Sequence, residues 1–246
     1  MGSPYFYLEP SLTMVDLLKS HYKNPALFSL DYDLVPDKCW PTQAEQVALG
    51  YDYVLSLVDG KADRVCCGGD SAGGTLILTL LLSLAKQEDG RVLRPGYATL
   101  FSPWVTLVTH ENRDNSSDFL SVHSLHSYAR QYAGDGHDLN NPMISPGCCT
   151  DTAWWTEAAP TYGFYFAFGS EEILAPEIES LVRLLRKVSI PVSVREQKGA
   201  VHAWVIANLF LSDTRDKRLF GMKETVKAIA ENIHAAYIER ELIVRK

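Results

Sequence analysis

Basic residues, cysteines and long apolar runs are all scarce in this sequence. Lysine and arginine total 23 against 30 aspartates and glutamates, a net charge of −7. That balance leaves no electrostatic footprint for nucleic acid or an anionic membrane surface, and serves solubility. The nearest approach to a membrane span, "LILTLLLSLA", falls short of the roughly 18 apolar residues such a span needs. The opening residues carry no signal-peptide pattern. The five cysteines are Cys39, Cys66, Cys67, Cys148 and Cys149. An odd count with two adjacent pairs does not form a disulfide framework, and neither pair has a Cys or His cluster nearby at zinc spacing. Cys66 and Cys67 are expected to fill a buried strand, which favours a reducing, cytoplasmic setting. No metal or organic cofactor is implied, and the sequence sets no oligomeric state.

What is present suits one α/β domain. With 246 residues, 46% of them hydrophobic, the chain can bury a sizeable core. Short β-rich runs alternate with segments of helical period, the pattern of a predominantly parallel sheet with helices on both faces. Strands are expected at 26–34, 63–69, 96–105, 162–170 and 191–198. Thr42 and Glu45 have capping-box spacing before a helix whose Val47, Tyr51 and Leu55 recur on one face. Residues 72–86 are apolar nearly all round, as in a helix buried deep in a domain. Pro176 opens a helix carrying Ile178, Leu181, Val182, Leu185 and Val188 on one face. Val226, Ile229, Ala230, Ile233 and Tyr237 mark a closing helix. The stretch 106–160 is richer in Ser, Asn, Asp, His and Trp, with one weak helix near 118–133. It reads as a cap or lid inserted into a single domain spanning 1–246.

One short stretch carries chemistry. "GGDSAGG" places Ser71 between Gly69 and Gly73, after a strand and before a helix. Small residues on either side let the chain turn sharply, so that the hydroxyl projects at the carboxyl edge of the sheet. There the helix N-terminus and the Ala72 amide favour a developing oxyanion. Serine needs a base within hydrogen-bond reach. Of seven histidines, His202 in "KGAVHAW" follows the last strand, which brings it to the same edge and gives the chain order serine, acid, histidine. The acid is expected after the fourth strand, in "FGSEEILAPE". Two adjacent carboxylates compete there, Glu171 being preferred over Glu172. Trp104 and Trp204, beside the elbow and the histidine loop, are candidate walls of an apolar substrate pocket or else core side chains.

These motifs together resemble the hormone-sensitive-lipase-like branch of the α/β-hydrolases, carboxylesterases of the α/β-hydrolase-3 type. The likeness runs along nearly the whole chain: "GGDSAGG" is similar to that branch's elbow, "DYDLVPDKCWPTQ" to its "DYRLAPEHPFPA" segment, and "FSPWV" to its strand-end motif. "GSEEILAPE" parallels its acid turn, with Glu171 at the position of the family's aspartate and Glu172 at that of its proline. Closest in flavour are fungal members, including steryl-acetate deacetylases. The resemblance implies a serine hydrolase of carboxylic esters, acetyl esters among them, with a small-molecule ester as partner. Ser71, His202 and Glu171 would form its triad, and Ala72 part of its oxyanion hole.

One family element is not found. Its "HGGG" motif precedes the stretch that "GSPYFYLEPSLT" resembles, and supplies backbone amides to the oxyanion hole. A chain shortened from a longer ancestor is expected, without the fold's N-terminal strands, so that 26–34 pairs in parallel directly beside 64–68. The alternative to an esterase is an impaired or inactive ligand-binding protein on the same fold.

Overall fold

A computed structural model describes residues 5–87 and 93–234. Four strands, β1 (Cys66–Asp70), β2 (Tyr97–Phe101), β3 (Phe164–Gly169) and β4 (Val192–Gln197), form one sheet in the order β1-β2-β3-β4. Every adjacent pair is parallel, so all four carboxyl ends lie along one edge. Eight α-helices are described: α1 (Leu8–Leu18), α2 (Thr42–Leu57), α3 (Ala72–Leu84), α4 (Val122–Ala133), α5 (Thr152–Ala158), α6 (Ala175–Lys187), α7 (Trp204–Leu211) and α8 (Arg215–Ile229). None is long and apolar enough to cross a membrane.

The period-two alternation of strand side chains builds two cores. Ala98, Leu100, Phe164, Phe166 and Phe168 face α3, α4, α5 and α6. Tyr97, Phe101, Tyr165 and Ala167 face α7 and α8, with Met14, Leu17 and Leu18 of α1 packed alongside. A third cluster joins α2 to α3 and to the start of β1 through Val47, Tyr51, Leu55, Leu76, Leu80 and Cys67. Helix α3 therefore has apolar neighbours on both sides, which is why its sequence lacks a polar face. The apolar residues assigned to α6 and to the closing helix are buried as far as Ile233, Val188 being half-buried; Tyr237 lies outside the described residues.

Three expectations need correction. Residues 26–34 form no strand, and β1 pairs with β2 alone among the described residues. The apolar alternation in that segment is met by a helix: Leu30 seats on Gly50 of α2, and Leu30 and Tyr32 pack against the third cluster. The Asp33 N–H donates to Gln46 Oε1 at 2.9 Å while Gln46 Nε2 donates back to Asp33 Oδ2 at 2.8 Å. The capping box does not form either. Pro41 holds the N-cap position, so Thr42 already lies inside the helix and its hydroxyl caps nothing.

Residues 106–160 contribute to the main core. Leu107, Leu125, Ala129, Ala133, Ile144 and Trp155 belong to the same core as α3 and α6. Its two α-helices, α4 and α5, start on side-chain caps, Ser121 accepting the Ser124 N–H and Asp151 those of Ala153 and Trp154.

Candidate functional site

Ser71 stands between β1 and α3 with φ 50° and ψ −119°, a backbone region that residues with a Cβ rarely occupy. The turn is held from both directions. The Ser71 N–H donates to the Phe101 carbonyl at 3.0 Å, and the Ser71 carbonyl accepts the Trp104 N–H at 3.0 Å. The tightness depends on missing side chains: a Cβ on Gly69 would fall 2.5 Å from the Gly73 carbonyl, and one on Gly74 2.6 Å from Pro103. The Ser71 hydroxyl makes no capping bond to the first turn of α3. Next to it, the carboxyl of Asp70 accepts a 2.8 Å hydrogen bond from the Tyr7 hydroxyl, which ties the start of α1 to the elbow.

His202 follows β4, so the parallel sheet delivers it to the same edge as Ser71. It is 5% exposed. The ring of Phe119 lies edge-on to it, centroids 5.8 Å apart. The expected acid, Glu171, is not its neighbour. Glu171 is exposed and is held by its backbone, donating to the Ala200 carbonyl and accepting from Asn115 Nδ2. Glu172 is the carboxylate beside the imidazole, with Oε2 4.0 Å from His202 Nδ1 and a fully buried side chain. In a tight turn successive side chains point apart, so one of the pair faces water and the other the sheet edge.

Glu172 is held from the ends of two strands. Its Oε2 accepts the Ser102 hydroxyl at 2.6 Å and the Gly169 N–H at 3.2 Å. Ser102, at the carboxyl end of β2 and wholly buried, also accepts the N–H of Ala203 at 2.9 Å. One hydroxyl thus joins the acid turn to the histidine loop. Glu172 Oε1 and His202 Nδ1 are both buried without a hydrogen-bond partner, so a closer approach of the two residues would satisfy both.

Burial governs the charges here. It pushes the Glu172 carboxyl up to about 8, against the opposing pull of the Ser102 and Gly169 hydrogen bonds and with a further push from Asp118. Burial lowers the His202 imidazole to about 4, Asp118 acting the other way. Both groups are therefore neutral near pH 7 in this arrangement.

The indoles of two further expected residues are core side chains. Trp104 is 6% exposed in the core on the α3 side of the sheet, and Trp204 2% exposed in the core on the α8 side, beside Phe220. They pack on opposite faces of the sheet, the second of the two roles the sequence left open for them. Sequence reading missed Ser102 and Asp118. Ser102 lies within the quoted "FSPWV" stretch; nothing local distinguishes Asp118.

Comparison with known proteins agrees with this architecture. A family described as alpha/beta hydrolase fold matches residues 18–206. An acetyl-hydrolase from Streptomyces hygroscopicus is 26% identical over 208 residues, covering 83% of this chain and 64% of the relative. Steryl acetyl hydrolase 1 from Saccharomyces cerevisiae is 23% identical over 193 residues, 73% of this chain and 45% of that protein. The chain thus spans about half to two thirds of the length of these relatives. Among solved structures, that of the HSL-homolog EstE7 from a metagenome library superposes with a TM-score of 0.74 at 26% identity, covering 94% of this chain and 74% of that one. The match over well more than half of its length, on a sheet that carries the elbow serine and the histidine at one edge, shows that this chain belongs to the α/β-hydrolase fold family.

Proposed function

We propose that the chain hydrolyses carboxylic esters, with Ser71 as nucleophile, His202 as base and Glu172 as the acid that orients His202. The reading is carried by the backbone of Ser71, held at positive φ where a strand turns into a buried helix. A non-glycine residue in that conformation stores strain, which the surrounding hydrogen bonds and glycines maintain for a hydroxyl aimed off the sheet edge. Relatives named for acetyl-ester hydrolysis support acetyl esters as the class to try first.

In this reading Ser71 Oγ attacks the ester carbonyl as its proton passes to His202 Nε2. The imidazolium so formed turns its Nδ1–H toward Glu172, whose ionised carboxylate stabilises it. The Ala72 amide, first in α3, has no helical acceptor and faces the developing oxyanion. His202 returns its proton to the leaving alcohol, and water, activated the same way, releases the acid from Ser71. Residues 106–160 serve as the cap, with the stretch just before α4 roofing His202 through Phe119.

The test is hydrolysis of p-nitrophenyl acetate by wild type and by Ser71→Ala. The expected result is turnover in the first and none above background in the second; equal rates would remove Ser71 from the chemistry.

A further inference from the structure

Asp118 is a buried carboxylate, 8% exposed, that the proposed triad leaves unused. It lies in the stretch before α4, far along the chain from the residues it touches. Its Oδ2 accepts the N–H of Ile173 at 2.8 Å, and its Oδ1 accepts the N–H of His202 at 3.4 Å. Ile173 directly follows Glu172. One carboxylate therefore holds the backbone beside the acid and the backbone of the histidine itself.

The segment presenting Asp118 is itself braced. Asn115 Oδ1 accepts the N–H groups of Ser117 and Asp118 at 2.9 and 2.7 Å, and Asn115 Nδ2 donates to the Glu171 carbonyl at 3.0 Å. Asp114 Oδ1 accepts the Val122 N–H at 2.7 Å, fixing the start of α4. Four polar links thus run from this stretch to the acid turn, the histidine loop and α4.

We propose that Asp118 is a positioning residue, setting the distance between His202 and Glu172 by clamping the histidine loop to the acid turn. This rests on the ester-hydrolase reading for its consequence in catalysis, though the clamp is a property of the fold. Among the described residues two ionisable groups face His202: Glu172 from the turn after β3, and Asp118 from the stretch before α4. Ser102, from the end of β2, and Phe119 are uncharged. The Asp118 charge favours the protonated form of both His202 and Glu172, so its removal moves both titrations to lower pH.

The experiment compares wild type, Asp118→Ala and Asp118→Asn, each checked for a cooperative melt. Asp118→Asn keeps the volume and one accepting oxygen but loses the charge. Asp118→Ala is expected to lower kcat for p-nitrophenyl acetate by about 100-fold with KM changed far less, the penalty of a misplaced catalytic group. In Asp118→Asn the acid limb of kcat/KM and the His202 imidazole titration, followed by NMR, both shift to lower pH. Those shifts report the Asp118 charge beside both groups, while the loss of kcat with KM held reports the positioning. Should Asp118→Ala fail to fold, Asp118→Asn alone decides. Folded variants with wild-type kcat and unmoved midpoints overturn the proposal. If wild type turns over no ester, amide hydrogen exchange still decides: faster exchange of the Ile173 and His202 N–H groups in folded Asp118→Ala upholds the clamp while the ester reading falls, and unchanged exchange removes the clamp.

Discussion

Ser102 Oγ donates a 2.6 Å hydrogen bond to Glu172 Oε2, deep at the sheet edge. A hydroxyl donating to a carboxylate favours its ionised form, so this contact opposes the burial that pushes Glu172 up to about 8. If ester hydrolysis needs Glu172 ionised and His202 neutral, Glu172 sets the acid limb of kcat/KM, because His202, lowered to about 4, is already neutral there. The acid limb is therefore expected near pH 8. Ser102→Ala should move it to higher pH, opposite to the shift expected from Asp118→Asn. A limb near the ordinary histidine value, unmoved by Ser102→Ala, would mean that His202 governs the profile.

The two adjacent glutamates separate cleanly by substitution. Glu171 is exposed and its backbone makes the contacts, so Glu171→Gln should leave kcat within about twofold of wild type. Above about pH 8, where Glu172 is ionised, Glu172→Gln removes the charge facing His202 and should lower kcat by a factor on the order of 10⁴. Initial rates on p-nitrophenyl acetate measure both. A large loss at Glu171 with Glu172→Gln near wild type would reverse the assignment.

The same burial makes stability depend on pH. Glu172 binds its proton more tightly folded than unfolded, so its contribution is complete below about 4.5 and lost as pH rises through about 8. His202 runs the other way: its contribution is complete above about 6.5 and lost as pH falls through about 4. The two slopes oppose one another between 4.5 and 6.5. From there to about 8 Glu172 acts alone, and at about 1.4 kcal/mol per unit the loss amounts to about 2 kcal/mol. Urea denaturation at the two ends of that window should show wild type losing about this much more than Glu172→Gln. Parallel behaviour of the two proteins would mean that Glu172 does not carry a raised value in the folded state.

The parts of this molecule legible in its sequence are those set by local rules. Short β-rich runs, aromatic in β3, mark β2, β3 and β4, and the glycines flanking Ser71 mark a sharp turn, which a side chain at Gly69 would block. One local pattern can have two physical outlets. The alternation at 26–34 fits a strand but equally lets Leu30 and Tyr32 lie on a helix. Thr42 and Glu45 have capping spacing, yet the helix begins one residue too early for it. Glu171 and Glu172 differ by contacts arriving from Ser102 and Asn115, some 56 to 70 residues away. Asp118, 84 residues from His202, had no signal at all. Long-range hydrogen bonds, unlike turns and strand periods, leave no mark on neighbouring residues.

The most direct test of the account is covalent labelling by a fluorophosphonate, which reacts with a serine only when a neighbouring base activates it. Peptide mapping by mass spectrometry then locates the adduct. A single adduct is expected on Ser71, and it disappears in folded His202→Ala. Folded wild-type protein left unlabelled, or labelled on Ser71 equally well without the imidazole, would contradict it.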